Sequence, residues 1–155
     1  MFITTHALIG ALIAEQMPNH PVLAFVLAIA AHFLADAIPH GDSKLYRGYA
    51  SHERVRRAVA YVMIDCLVAM FFVLGLFNSK FIDHRFAISC GVVGGVLPDF
   101  LVGLFEIFRL RQLRWIHRVH FYFHNLVVSK RGDVALKTGI AIQFSLLALV
   151  LSRIG

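Results

Sequence analysis

A chain of 155 residues in which 59% are apolar and only 15% are charged cannot cover its own surface with polar groups. Soluble domains typically contain roughly 45–50% apolar and about 25% charged residues, so the composition excludes an ordinary water-soluble domain. We predict a single domain, residues 1–155, embedded in a lipid bilayer. The formal charge of +6 favours contact with anionic lipid, and we expect no nucleic-acid partner.

Five apolar segments follow one another along the chain and are predicted to be helices. They cover residues 2–17, 21–38, 55–77, 86–108 and 134–151. The first has about 16 residues, whereas a perpendicular span needs about 20, so it either crosses a thinned bilayer or only enters it. Together the segments predict an all-α integral membrane bundle of four or five spanning helices.

The connection between the last two segments has a different character. Around residues 110–126 it mixes arginines with aromatic and aliphatic residues, which predicts an amphipathic helix lying in the membrane interface. Basic residues also concentrate in the connection 40–57, so the positive-inside rule places both connections on the cytoplasmic side. We therefore expect a multi-pass protein of the plasma (inner) membrane, with the histidines and aspartates of its candidate functional site toward the cytoplasm.

Ionisable residues are costly at bilayer depth, so those inside apolar segments are candidates for a functional site. His32 and Asp36 lie four residues apart, on one helical face, where they could chelate a metal ion. Alternatively, the carboxylate orients the imidazole, or the pair is a buried hydrogen bond without a further role. Pro39 ends the helix, so His40 and Asp42 are predicted to fold back over the helix end.

Two further carboxylates lie within apolar segments. Asp99 follows Gly94, Gly95 and Pro98, a pattern that predicts close helix approach and a kink that carries a ligand. A helix N-cap is the alternative for this residue. Asp65 is predicted near mid-depth of the third segment, either as a ligand or as a polar contact between helices. Both carboxylates are candidates for the general base of a hydrolytic reaction.

The amphipathic connection carries three regularly spaced histidines. His117, His120 and His124 stand at i, i+3 and i+7, so they form a single stripe on a helix. Two imidazoles one turn apart, with a third ligand elsewhere, are typical of zinc sites. The alternative is an interfacial helix whose histidines lie among lipid headgroups. His6, near the start of the first segment, is a further candidate ligand.

The order of these motifs resembles that of the YdjM-type inner-membrane metal-dependent hydrolases, with a looser similarity to zinc-dependent phospholipase C. The resemblance is carried by THALIG at 5–10, AHFLADAIPH at 31–40, LPD at 97–99, and HR at 117–118 followed by His124. It implies ligand roles for His6, His32, Asp36, His40, Asp99, His117 and His124. Family members carry LPDIDH and HRGxTHS runs, and this chain departs from both, with FLV after LPD and VH after HR.

The leading functional hypothesis is a metal-dependent hydrolase that acts at the cytoplasmic face on a phosphoester or lipid-linked substrate. One or two Zn²⁺ ions would bind the histidines and aspartates, while Arg114 and Arg118 would bind an anionic headgroup. The alternative is a non-enzymatic membrane protein that handles divalent metal or protons with the same ligands. Haem bound by two of the histidines is a third possibility.

Overall fold

The computed structural model describes residues 1–78 and 84–153 as α-helices joined by short connections. The helices are α1 (Ile3–Glu15), α2 (Pro21–Asp36), α3 (Ser43–Ala50), α4 (Val55–Asn78), α5 (Arg85–Phe108), α6 (Arg114–Arg131) and α7 (Leu136–Leu151). A single turn of 3-10 helix, Arg111–Leu113, precedes α6. No strand occurs within the described ranges, which confirms the all-α prediction.

All five apolar segments and the amphipathic segment form helices, as predicted, but α3 was not expected. Its eight residues lie in the connection 40–57, which the sequence presents as polar loop. Two of the described helices, α4 and α5, are long and apolar enough to cross a membrane, fewer than the four or five predicted. The apolar helices α1, α2 and α7 are shorter, with 13, 16 and 16 residues.

Helix α4 exposes most of its apolar side chains. Only 11% of its apolar window is buried, and Ala69 is the one buried residue of this helix. Leu67 and Phe71 are 56% and 76% exposed. A core helix of a soluble protein would bury such residues, so this face requires an apolar environment outside the chain.

Helix α5 forms the centre of the bundle because its glycines let two other helices approach closely. It packs most extensively against α1 and α2. A Cβ on Gly91 would collide with the carbonyl oxygen of Gly10 in α1, and a Cβ on Gly94 would collide with the carbonyl oxygen of Phe25 in α2. Gly95, one turn after Gly91, faces the carbonyl oxygen of His6 in the same way. Small residues spaced by four are a recurring device for close packing of membrane helices.

Helix α6 lies against α5 and α2, and its buried face points toward the polar end of the bundle. Its buried residues are Ile116, His120 and His124, and Phe123 contacts Phe33 of α2 with ring centroids 5.3 Å apart. The amphipathic segment therefore packs one face against the bundle and leaves the other face exposed.

The close contact of α1 with α5 generates a prediction about two glycines of α5. Gly91→Ala should lower the free energy of unfolding by about 1–3 kcal/mol, because the added methyl group meets backbone atoms of α1 that cannot move independently. Gly103→Ala is the matched control, since nothing lies within 4 Å of its Cβ position, and alanine there should be neutral or stabilising by up to about 1 kcal/mol. Thermal unfolding in detergent measures both, and equal stability of the two variants would contradict the packing.

Candidate metal centre

Four buried or half-buried side chains from three helices converge at the polar end of the bundle. His32 and Asp36 come from α2, Asp99 from α5 and His120 from α6, and one potential ligand atom of each lies within 4.8 Å of all the others. We call these four residues the primary group. Imidazole nitrogen and carboxylate oxygen are the ligands that zinc and related divalent metals bind in proteins.

The contacts within the primary group pair imidazole nitrogens with carboxylate oxygens. His32 Nε2 lies 3.1 Å from Asp36 Oδ2 and 3.7 Å from Asp99 Oδ1. His120 Nδ1 lies 3.4 Å and 3.8 Å from the same two oxygens. Asp36 is fully buried, whereas the side chain of Asp99 is 21% exposed. The group is therefore closed on the α2 side and more open at Asp99.

The orientation of His32 is fixed by the backbone of α5. Its Nδ1 lies 2.8 Å from the carbonyl oxygen of Gly95, and because a carbonyl only accepts, Nδ1 must donate the proton. In the neutral imidazole, Nε2 then presents a lone pair to the carboxylates of Asp36 and Asp99. Acceptors that face one another repel, so this arrangement calls for a cation between them or for a proton on His32 Nε2 or on His120 Nδ1, which lies 3.4 Å from His32 Nε2.

His6 supports the primary group from α1. Its ring stacks on that of His32 with centroids 3.9 Å apart, and its Nε2 lies 3.0 Å from Asp36 Oδ1. The amino nitrogen of Met1 contacts the same oxygen. Asp36 thus uses Oδ1 for these neighbours, while its buried Oδ2, which faces His32 and His120, forms no hydrogen bond of acceptable geometry within the described chain.

A second set of ligand-type residues lies where the loop after α2 meets α6. His40, Asp42 and His124, here called the second group, also bring one potential ligand atom each within 4.8 Å of the others. His40 Nε2 is 3.1 Å from Asp42 Oδ2, and His124 Nε2 is 3.2 Å from Asp42 Oδ1. His40 Nδ1 donates to the carbonyl oxygen of Ile38 at 2.7 Å, so its Nε2 presents a lone pair to Asp42.

The surroundings of His120 and His124 shift their pKa values in opposite directions although the two residues stand one turn apart. Burial lowers the pKa of His120 to about 3, which leaves its imidazole neutral and able to act as a ligand. Burial also lowers the pKa of His124, but the hydrogen bond and the negative charge of Asp42 outweigh it and raise the pKa above the usual value. Burial raises the pKa of Asp42, yet its bonds to His124 and His40 hold it well below the usual range.

Asp133, just before α7, holds the loop of the second group in place. Its carboxylate accepts hydrogen bonds from the backbone nitrogens of Gly41 at 2.9 Å and Ser43 at 3.0 Å. Gly41 has a φ of +84°, a conformation that glycine adopts without strain, and a Cβ there would collide with Leu136. His40 and Asp42 therefore flank a backbone position that is fixed by hydrogen bonds and by packing.

Other predicted site residues lie outside both groups. His117 pairs with Glu106, with Nε2 2.9 Å from Oε1, although it shares the helical stripe of His120 and His124. Arg114 and Arg118 lie exposed on α6.

Asp65 also lies outside both groups, where its carboxylate caps the start of α1. Its Oδ2 accepts from Ile3 N at 2.6 Å, and its Oδ1 accepts from the hydroxyl of Thr4 at 2.6 Å and from the Thr4 backbone nitrogen at 3.3 Å. Of the alternatives stated for this residue, the polar contact between helices is the one the structure displays.

Three residues that the structure brings to the site region carry little or no signal in the sequence. Asp42 was expected near the end of α2 but not as a ligand, although a carboxylate two residues after His40 was an available signal. Glu106 was not expected to pair with a histidine eleven positions away. Asp133 carries no signal in the sequence, because its role depends on the loop of another segment.

The capping role of Asp65 can be separated from a catalytic one. Asp65→Ala should destabilise the protein by about 1–2 kcal/mol, because the first backbone N–H groups of α1 lose their acceptors. Its content of bound divalent metal should equal that of the wild type, since both groups are left intact. Asp65→Asn, which keeps one acceptor oxygen, should lose less stability. A fall in metal content with unchanged stability would instead support a ligand role.

The role of Asp133 predicts a pH-dependent stability difference. Burial raises its pKa, but the hydrogen bonds from Ser43, Gly41 and Val134 outweigh this and hold the pKa below the usual value. A lowered pKa contributes stability above the unfolded pKa of about 4, and that contribution is lost as the pH falls further. Asp133→Asn should therefore cost about 1 kcal/mol at neutral pH, given its partial exposure.

The measurement is thermal unfolding of wild type and Asp133→Asn from pH 7 to pH 3. The difference between the two proteins should shrink as the pH falls below about 4. Titrating groups common to both proteins cancel in the comparison. A difference that stays constant over this range would contradict a role for the ionised carboxylate.

Comparisons of this chain with protein-family models, with curated proteins and with solved structures each found no match. The resemblance to YdjM-type hydrolases therefore stays a prediction from short motifs. The candidate metal centre stands on geometry: buried imidazoles and carboxylates whose ligand atoms face one another in two adjacent groups.

Proposed function

We propose that this chain is a multi-pass membrane protein that binds a divalent metal ion at the primary group and uses it to hydrolyse a phosphoester or lipid-linked substrate. The observation that carries the proposal is the convergence of His32, Asp36, Asp99 and His120 within 4.8 Å, inside an apolar bundle. A buried acceptor such as Asp36 Oδ2, which forms no hydrogen bond of acceptable geometry within the described chain, is expected where a cation completes its interactions.

Membrane embedding is supported by the two long helices and by the exposed apolar face of α4. We propose that the shorter helices α1, α2 and α7 also enter the bilayer, giving four or five membrane segments, with α6 in the interface. Lys44 and Arg47 in α3 and Arg56 and Arg57 at the start of α4 belong to the basic connection that the positive-inside rule assigns to the cytoplasm. The site, which lies near α3 and α6, would then face the cytoplasm across the inner membrane.

The donor set limits the metal. The imidazole nitrogens of His32 and His120 and one carboxylate oxygen of Asp36 would suit Zn²⁺ and leave a position for water beside Asp99, and Mn²⁺ or Fe²⁺ would bind the same ligands. Hydrogen bonding of His32 Nδ1 to a backbone carbonyl is the arrangement that commonly orients histidine ligands. When bound, such an ion polarises a phosphoryl oxygen and lowers the pKa of a coordinated water to about 7.

Asp99 is the residue of the primary group best placed to move a proton. Asp99 Oδ1 lies farther from the imidazoles of His32 and His120 than Asp36 Oδ2 does, and the side chain of Asp99 is more exposed than that of Asp36. In hydrolysis the water oxygen bonds to phosphorus, the ester P–O bond breaks, and Asp99 takes the proton that the water loses. The leaving oxygen then receives that proton, which balances the reaction. The order of the motifs, similar to that of YdjM-type hydrolases, supports the same proposal.

One observation favours a second function, the handling of protons. A second proton on His32 would satisfy its contacts with Asp36 and Asp99 as a metal ion would, since Nε2 would then donate to the carboxylates. In that case the group is a buried proton site. Metal content distinguishes the two functions.

The test is metal analysis of purified, dialysed protein after loading with Zn²⁺ or Mn²⁺. His32→Ala and Asp36→Asn should each lower the affinity for one ion by about 10–100-fold or more. Removal of a residue that only orients a metal ligand already costs about this much, and removal of the ligand itself should cost at least as much. His20→Ala is the matched control, because His20 is exposed and lies outside both groups. Unchanged metal content in both site variants would overturn the proposal and leave the proton site.

Hydrolysis is tested separately with phosphatidic acid and with a soluble phosphomonoester in mixed micelles. Asp99→Asn should lower kcat by about 100-fold or more, because general-base catalysis typically contributes 10²–10⁴-fold. A helical circular dichroism spectrum and wild-type melting temperature show that the variant is folded. Phosphate release by Asp99→Asn at the wild-type rate would exclude this residue as the base.

A further inference from the structure

The second group lies beside a cavity that the primary group does not use. This cavity has a volume of about 320 Å³ and opens between α3 and α6. It is lined by Ser43, Tyr46, Arg47, Phe121, His124, Asn125 and Val128. His124 belongs both to the lining and to the second group, so whatever enters the cavity meets one of its imidazoles.

The second group contains one hydrogen bond, between His124 Nε2 and Asp42 Oδ2 at 3.3 Å, and two buried atoms of the type that bind cations. His40 Nε2 and Asp42 Oδ1 are buried atoms that form no hydrogen bond of acceptable geometry within the described chain. Both still lie close to ligand-type neighbours, at 3.1 Å and 3.2 Å. Because Nδ1 of His40 donates to Ile38, its Nε2 lone pair faces the carboxylate, as in the primary group. The loop carrying both residues is fixed by Asp133.

The cavity has the charge expected for an anionic ligand. Of the seven lining residues that the structure describes, Arg47 alone carries a permanent charge. Its Nε donates to the carbonyl oxygen of Ser43 at 3.3 Å, which places its stem along α3 at the cavity. Guanidinium matches the planar spread of phosphate oxygens, and Asn125 and Ser43 add neutral polar groups. By contrast, Arg114 and Arg118 do not line this cavity.

The walls of the cavity are held in place by aromatic packing. Tyr46 of α3 packs on Phe121 of α6 with ring centroids 4.5 Å apart, and its hydroxyl donates to Glu106 of α5 at 3.4 Å. Helix α3 is therefore anchored to two other helices, and Arg47 follows the anchoring tyrosine directly in sequence.

We infer that His40, Asp42 and His124 form a second divalent-cation site, and that the adjoining cavity binds the phosphoryl group of the substrate between this cation and Arg47. The inference rests on the proposed function, because it supplies the substrate-binding half of the same hydrolytic site. The shared chemistry is a phosphoryl group, whether it belongs to a lipid headgroup or to a soluble phosphomonoester.

The first experiment counts metal ions on the full chain in detergent after loading with Mn²⁺. Wild type should bind two ions, Asp42→Asn should bind one, and Asp36→Asn should bind one. Retention of both ions by Asp42→Asn overturns the second site, whereas retention of both by Asp36→Asn overturns the primary site of the proposed function. The two failures are therefore distinguishable. His124→Ala provides a second variant of the same site should Asp42→Asn fail to fold.

The second experiment measures binding of inorganic phosphate to Mn²⁺-loaded protein by ³¹P NMR relaxation. Arg47→Gln should weaken phosphate binding about tenfold or more, because a charge-assisted contact is lost. Arg57→Gln is the matched control, since Arg57 is exposed and lies outside the cavity. Its phosphate affinity should equal that of the wild type. Equal affinity in Arg47→Gln and Arg57→Gln would overturn the role of Arg47.

Competition then identifies the source of the phosphoryl group. Phenyl phosphate and phosphatidic acid, each in the same micelles, are titrated against bound inorganic phosphate. Displacement by phenyl phosphate supports a soluble substrate, and displacement by phosphatidic acid alone supports a lipid substrate. Displacement by neither overturns the assignment of this cavity as a phosphoryl site.

Discussion

The site depends on how closely α1 and α2 approach the backbone of α5. That approach is possible because α5 has glycines where it contacts α1 and where it contacts α2. At these positions any side chain would collide with a carbonyl oxygen of the neighbouring helix. Gly95 connects packing with chemistry. Its Cα lies against the backbone of His6, while its own carbonyl oxygen accepts the proton of His32 Nδ1. A larger residue at this position would separate α1 from α5 and would disturb the orientation of the imidazole on which the primary group depends.

The electrostatics of the primary group are difficult to explain by stability alone. A fully buried carboxylate such as Asp36 loses its hydration, and its contacts with histidines do not generally recover more than the desolvation cost. Apolar residues of similar volume would often be as stabilising in the same place. The group instead brings potential ligand atoms toward one point, with His32 oriented by the backbone and His120 kept neutral by burial. That arrangement is the one expected of preorganised ligands.

Local spacing predicted the parts of the site that lie within one helix, and long-range packing decided the rest. His32 with Asp36 could be paired from the sequence because four residues are one turn of helix. The stripe of α6 was also predicted, but spacing could not show that its first member, His117, would meet Glu106 at the end of α5. Asp65 illustrates the same limit, since its partners are the backbone nitrogens of another helix. Helix α3 was missed because its short amphipathic pattern lies within a charged connection, where polarity predicts a loop.

Helix α6 links the two groups. His120 and His124, one turn apart with ring centroids separated by 5.9 Å, each supply one imidazole to a different group. The remaining ligands come from α2, α5 and the loop fixed by Asp133, so the two groups share only this helix. A cation bound at one group would hold α6 against the bundle. It would thereby also fix the α6 imidazole of the other group, so that binding at one group would favour binding at the other. The outer face of α6 is exposed, so this helix can be reached directly from outside the bundle.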